Sequence, residues 1–105
     1  MNDSEFAALT DAVLKKIEAG LEASDADLDF EMPSVGVLEI EFADRSKIIV
    51  NRHGVAKEVW VAARSGGFHY RWDGTDWRDT RDDSELLVAL SKLVSAQAGQ
   101  KVELN

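Results

Sequence analysis

Asp25, Asp27, Asp29 and Glu31 place carboxylates at alternate positions, and Asp11, Glu18 and Glu22 precede them at helical spacing. Carboxylate oxygens are hard ligands, suited to cations such as calcium, magnesium and manganese. Ferric iron is harder still and ferrous iron borderline, so an oxygen-only patch accepts both without selecting either. Asp25-x-Asp27-x-Asp29 resembles the start of a calcium-binding EF-hand loop. The glycine needed at its sixth position is Phe30, and the glutamate needed at its twelfth is Gly36, so that chemistry is rejected. Carboxylates pointing outward from a helix and a strand cannot wrap an ion. Coordination there should be open, hydrated and weak, which suits passing metal on or sensing it.

Other chemistries lack their residues. Cysteine is absent, which removes disulfides, thiolate metal sites and a cysteine nucleophile. His53 and His69 are far apart in sequence and read as separate surface or partner-contact residues. No nucleophile elbow unites serine, histidine and aspartate. Gly66-Gly67 reads as a turn, since the lysine and serine of a phosphate loop are missing. Oxidation of ferrous iron would need a buried carboxylate–histidine centre, and none is visible. The chain is not expected to be an enzyme, and no organic cofactor is implied.

Charge is divided unevenly. Twelve of the twenty carboxylates lie in the first forty-four residues, opposed only by Lys15 and Lys16, while the remainder carries ten basic against eight acidic residues. A surface of one sign attracts cations and basic proteins and repels phosphates and anionic lipid, so neither nucleic acid nor membrane is an expected partner. The polar, acidic start Met1-Asn2-Asp3-Ser4-Glu5 is unlike a signal peptide, and no apolar run approaches the ~20 residues of a membrane span. The composition is that of a cytoplasmic protein, and 105 residues suffice for one domain, 1–105, with one core.

The elements that must position these groups follow from periodicity. Phe6, Leu9, Val13, Ile17 and Leu21 form the apolar stripe of a helix over Asp3–Ala23, capped by Asp3 or Ser4, with Asp11, Glu18, Glu22 and Asp25 on a second stripe. Period two then predicts a strand over Asp25–Met32, with Leu28, Phe30 and Met32 inward, broken by Pro33. Further strands are predicted at Val37–Phe42, Lys47–Arg52, Glu58–Ala63, Phe68–Trp72 and Asp76–Arg78. Val59 and Val61 face inward, which turns Trp60 outward; a slip of one residue would reverse this. Ser84 starts a final helix ending near Gly99, and Val102 and Leu104 could tuck back against the core. The expected fold is α+β: a two-layer sandwich with the N- and C-terminal helices packed on one face of an antiparallel β-sheet.

This order resembles the frataxin family, specifically its bacterial homologues, the CyaY group. The resemblance rests on Met1–Phe6, the acidic junction Glu22–Glu31, Ser46–Arg52, Val59–Ala62, Gly66–Tyr70 and Trp77, and spans the chain. It implies weak iron binding, as Fe2+ or Fe3+, through an acidic ridge of Asp3, Glu18, Glu22, Asp25, Asp27, Asp29 and Glu31, to which helical geometry adds Asp11. It also implies docking onto a cysteine desulfurase and a scaffold during iron–sulfur cluster assembly, through Glu18, Glu22 and Asp25 and the outward Asn51 and Trp60. A monomer is implied, with iron-dependent oligomerisation as an option. Ala7, Ala19 and Ala23 stand where relatives often carry a histidine or further acids, which predicts fewer or weaker metal sites. The alternative is an acidic interaction module whose metal binding is incidental, since acidic helix faces are most often merely solvated. Continuation of the charge into the next strand favours the first reading.

Overall fold

The first helix, α1 (Asp3–Ala23), is held at its start by a reciprocal cap. The Asn2 side chain accepts the Glu5 backbone N–H at 2.8 Å, and the Glu5 carboxylate takes the Asn2 N–H at 3.2 Å. The cap is therefore Asn2, not Asp3 or Ser4, because only residue 2 has a glutamate three positions on to close the box. Phe6, Val13, Leu14, Ile17 and Leu21 are buried, as the stripe requires.

In the computed structural model, which describes all 105 residues, six strands follow: β1 (Leu28–Ser34), β2 (Val37–Phe42), β3 (Lys47–His53), β4 (Glu58–Ala63), β5 (Gly66–Trp72) and β6 (Trp77–Asp79). They form one antiparallel sheet in sequence order, β1 to β6. The helix α2 (Leu86–Ala98) closes the order. Leu38, Ile40, Phe42, Ile48, Val50, Val59, Val61 and Tyr70 share one buried core with apolar residues of both helices. At one end Trp77 meets Phe6 edge-on at 6.1 Å and Trp72 at 5.4 Å. Such pairs contribute about 0.5–1.5 kcal/mol each beyond their buried area.

Several boundaries differ from the sequence reading. Asp25–Asp27 lie in the connection before β1, and β1 runs through Pro33 instead of stopping there. An edge strand tolerates proline because one hydrogen-bonding side has no neighbour. Pairing with β2 slips between Glu31 and Ser34, and Met32 is exposed rather than inward. Gly66 and Gly67 belong to β5, the turn being Arg64-Ser65. Glu85, not Ser84, caps α2: its carboxylate accepts the N–H groups of Leu87 at 2.8 Å and Val88 at 3.2 Å, while Ser84 is engaged with Asp82.

Gly99, in the left-handed conformation at φ 73°, releases the chain from α2, and the tail returns along that helix. The Ser95 hydroxyl both accepts the Val102 N–H at 2.9 Å and donates to the Val102 carbonyl at 3.1 Å. Ser91 accepts the Leu104 N–H at 2.9 Å and donates to the Leu87 carbonyl at 2.6 Å. Val102 and Leu104 are buried, and Leu104 lies so close to α1 that a Cβ on Gly20 would stand 3.1 Å from its Cα.

Tyr70, the chain's single tyrosine, is 1% exposed. Burial first, then the charges of Asp79, Asp82 and Glu85, push its phenol from the usual 10.0 to about 12. A raised folded-state value favours the neutral ring: the stabilisation is complete below pH 10 and disappears as pH rises through about 12. Phenolate absorbance of the native protein should therefore show its midpoint near 12, together with loss of secondary structure, and fall back to about 10 in denaturant. A native midpoint near 10 would mean an accessible ring.

Candidate functional site

Alternation along the strands leaves the sheet face opposite the helices to polar and aromatic groups, and these separate into two halves. On β1 and β2 the cross-strand partners are Asp29 with Glu41 and Glu31 with Glu39, four outward carboxylates in two facing pairs. Like charges at such positions repel, by roughly 0.7 kcal/mol for a pair ~6 Å apart even in water. Lys47 on β3, opposite Glu41, relieves part of this with its ammonium 2.7 Å from Glu39. The Glu39 hydrogen bond and charge, with the charges of Glu41 and Glu31, raise the Lys47 pKa. Asp27, Asp29 and Glu41 line a shallow depression of about 370 Å³, which adjoins another of about 240 Å³ lined by Asp29, Glu31, Glu39 and Glu41.

Glu39 and Glu41 were not among the ridge residues expected from sequence. Their outward alternation was visible, but only the β1–β2 register sets them against Asp29 and Glu31. The other expected ligands are arranged differently. Glu18 and Glu22 stand on α1 without an ion pair, and Lys15 and Lys16, beside them in sequence, pair with nothing. Asp25 is exposed in the loop before β1. Asp11 is bridged by Arg52 of β3 at 3.3 Å, and Asp3 by Lys57. Lys57, through its hydrogen bond and then its charge, holds the Asp3 carboxyl below its usual range. Those two carboxylates tie α1 to the sheet. Nowhere do three histidine, aspartate or glutamate side chains converge as ligands for one ion. An exposed, oxygen-only donor set of this kind fits a hydrated cation held loosely and not one enclosed in a cage.

The other half of the face is centred on Trp60. It points outward, opposite Asn51 on β3 and His69 on β5. Sequence reading treated His53 and His69 as unrelated surface residues, but they stack on the two faces of the indole. The ring separations are 3.8 Å at 10° for His53 and 4.3 Å at 8° for His69. Pairing across three strands is needed to bring these rings together, and no local motif announces it. The indole N–H donates to Glu58 at 2.9 Å, and Arg71 donates to the other carboxylate oxygen at 2.6 Å. Glu58 is only 6% exposed although it lies on the outward face. Burial raises its pKa, but the hydrogen bonds from Trp60 and Arg71, with the charges of Arg71 and His69, outweigh that and leave it below the usual carboxyl range. Asn51 is half-buried beside the ring, its amide 3.4 Å from the Arg52 carbonyl.

A family model described as a frataxin-like domain matches residues 1–100. The chain is 67% identical over 104 residues to the iron–sulfur cluster assembly protein CyaY of Dechloromonas aromatica (strain RCB), covering 99% of each sequence. Its fold superimposes on frataxin from Psychromonas ingrahamii with a TM-score of 0.93 and 36% identity, over 100% of this chain and 99% of that one. A trimeric frataxin from the yeast Saccharomyces cerevisiae, in a ferrous complex, shares the fold at a TM-score of 0.69 and 22% identity, over 95% and 88% of the two chains.

The carboxylate pairs on β1 and β2 have a measurable signature. Lys47→Ala should lower the melting temperature at low ionic strength, and the deficit should shrink as sodium chloride is added, because salt screens the repulsion the lysine had offset. Thermal unfolding at several salt concentrations checks this; a salt-independent deficit would mean the lysine acts through packing alone.

Proposed function

This chain belongs to the frataxin family, and from that premise we propose that it serves iron–sulfur cluster assembly as a weak iron binder that regulates, or supplies iron to, a cysteine desulfurase. Lacking cysteine, it cannot hold a cluster through thiolates and acts on machinery that can. The observation that carries the reading is the pair of adjoining carboxylate-lined depressions formed by Asp27, Asp29, Glu31, Glu39 and Glu41. They offer several oxygens to a hydrated iron cation without enclosing it. The D. aromatica relative carries an iron–sulfur cluster assembly name, and the yeast frataxin is a ferrous complex, both in keeping with this role.

Docking uses two features. Glu18, Glu22 and Asp25 offer unpaired negative charge to a basic surface on the desulfurase, giving fast and salt-sensitive association. Trp60 and Asn51 supply an aromatic anchor and an amide on the sheet face; tryptophan is a frequent interface anchor. The role is non-catalytic, the setting cytoplasmic and the resting state monomeric, with iron-induced assembly in view of the trimeric yeast protein. One observation favours a second reading, an interaction module whose metal binding is incidental: no three ligands converge on one point.

Changing Glu18, Glu22 and Asp25 together to lysine separates the readings. Desulfurase binding by calorimetry should collapse while iron binding in the β1–β2 depressions largely persists. Changing Asp29, Glu31 and Glu41 to their amides should instead remove iron binding, and desulfurase regulation left unaltered by that loss would favour the interaction module. Saturating iron should also raise the melting temperature of the unaltered protein. A ligand at a hundred times its Kd adds about 2.7 kcal/mol, so no shift with millimolar iron would remove iron binding from the proposal. Trp60→Ala should weaken desulfurase binding by tenfold or more, as an anchor worth about 1.4 kcal/mol requires, while leaving the far-UV spectrum unchanged.

A further inference from the structure

We propose that Glu58, His53 and His69 are positioning residues for Trp60, forming a clamp with one fixed arm, His53, and one proton-responsive arm, His69. The inference rests on the reading of Trp60 as a docking residue and adds what holds it and what adjusts it.

The two arms differ in their contacts. His53 Nδ1 accepts the Ala56 backbone N–H at 3.2 Å. An accepting nitrogen carries no proton, so that bond sets the ring as the neutral Nε2–H tautomer, and a proton on Nδ1 would break it. The cations nearest in sequence are directed elsewhere, Arg52 to Asp11 and Lys57 to Asp3. His69 has the opposite surroundings. Its Nδ1 lies 3.7 Å from Glu58 Oε1, the oxygen that also receives the indole N–H. The charged groups facing it are Glu58 from β4 and Arg71 from its own strand, and Arg71 is already bound to the second oxygen, Glu58 Oε2. A proton on His69 Nδ1 turns the Glu58 contact into an ion pair and lays a cation against the indole face, an attraction the neutral ring lacks.

Three contacts thus fix one ring: an imidazole on each face and a carboxylate at its N–H. With both faces occupied, a partner meets the free edge of the indole. A side chain held in this way has little rotamer freedom left to lose when a partner docks. Protonation of His69 tightens the clamp and should strengthen docking, whereas a neutral His69 leaves the ring held mainly by His53 and Glu58.

The test follows the Trp60 indole N–H cross-peak of the isolated full-length protein by NMR from about pH 5 to 8, where histidines change charge. The variants His69→Phe and His53→Phe keep an aromatic ring and remove the proton site. We expect the wild-type resonance to titrate, the His53→Phe resonance to titrate likewise, and the His69→Phe resonance to stay flat. Desulfurase affinity should rise on acidification in wild type more than in His69→Phe. A flat wild-type resonance, or one that titrates unchanged in His69→Phe, would overturn the clamp, whatever Trp60→Ala does to docking. If instead the clamp titrates as expected and Trp60→Ala binds desulfurase normally, it is the docking reading that fails.

Discussion

Alternation in an antiparallel sheet is the constraint on which the other features depend. Each of the central strands must give every second residue to the layer beneath the helices, and Leu38, Ile40, Ile48, Val50, Val59, Val61 and Tyr70 fill those places. Only the intervening residues are free for chemistry. The acidic pairs of β1 and β2 and the aromatic group of β3, β4 and β5 therefore occupy the same face, and their spacing is set by strand pairing instead of by chain distance. A one-residue slip in any of these strands would turn its polar or charged residues inward and expose the core, so core formation and site formation are the same event.

The division of labour among the carboxylates is as informative as their number. Asp3 and Asp11 are consumed by Lys57 and Arg52, which fasten the first helix over the sheet. Asp44, Asp73 and Asp82 serve turns, accepting backbone or side-chain hydrogens from Ser46, Thr75, Asp76 and Ser84. What remains without a partner for its carboxylate is Glu18 and Glu22 on the helix, Asp25 and Asp27 in the loop, Asp29 and Glu31 on β1, and Asp83, whereas Glu39 and Glu41 are partly offset by Lys47 and Arg45. Total charge overstates the surface available to a cation, because part of it is structural.

Much of this was legible in the residues. The helical stripe ending at Leu21, the inward valines of β4 and the outward Trp60 follow from period alone and lead to the α+β sandwich, whereas the frataxin assignment came from the resemblance of particular stretches. Local capping was misread by one residue at both helices: a reciprocal bond from Glu5 and a double one from Glu85 outrank the nearest serine or aspartate. Pro33 was read as a stop because its strand was not known to lie at an edge. The His53–Trp60–His69 stack and the opposition of Glu39 and Glu41 to β1 were out of reach for a different reason. Both are products of register among strands, information distributed over the sheet and absent from any single segment.

The last residues illustrate how two kinds of periodicity can be matched. Ser91 and Ser95 are one helical turn apart, a rise of about 6 Å, close to the roughly 6.6 Å spanned by two residues of extended chain. The hydroxyls therefore meet the backbone at Val102 and Leu104 and skip Glu103, which faces solvent. Sliding by one position would put Glu103 into the space above Gly20 and strand a charge in the interior, so the segment has a single allowed seat. The segment from Val102 to Leu104 thus behaves as a keyed latch across both helices.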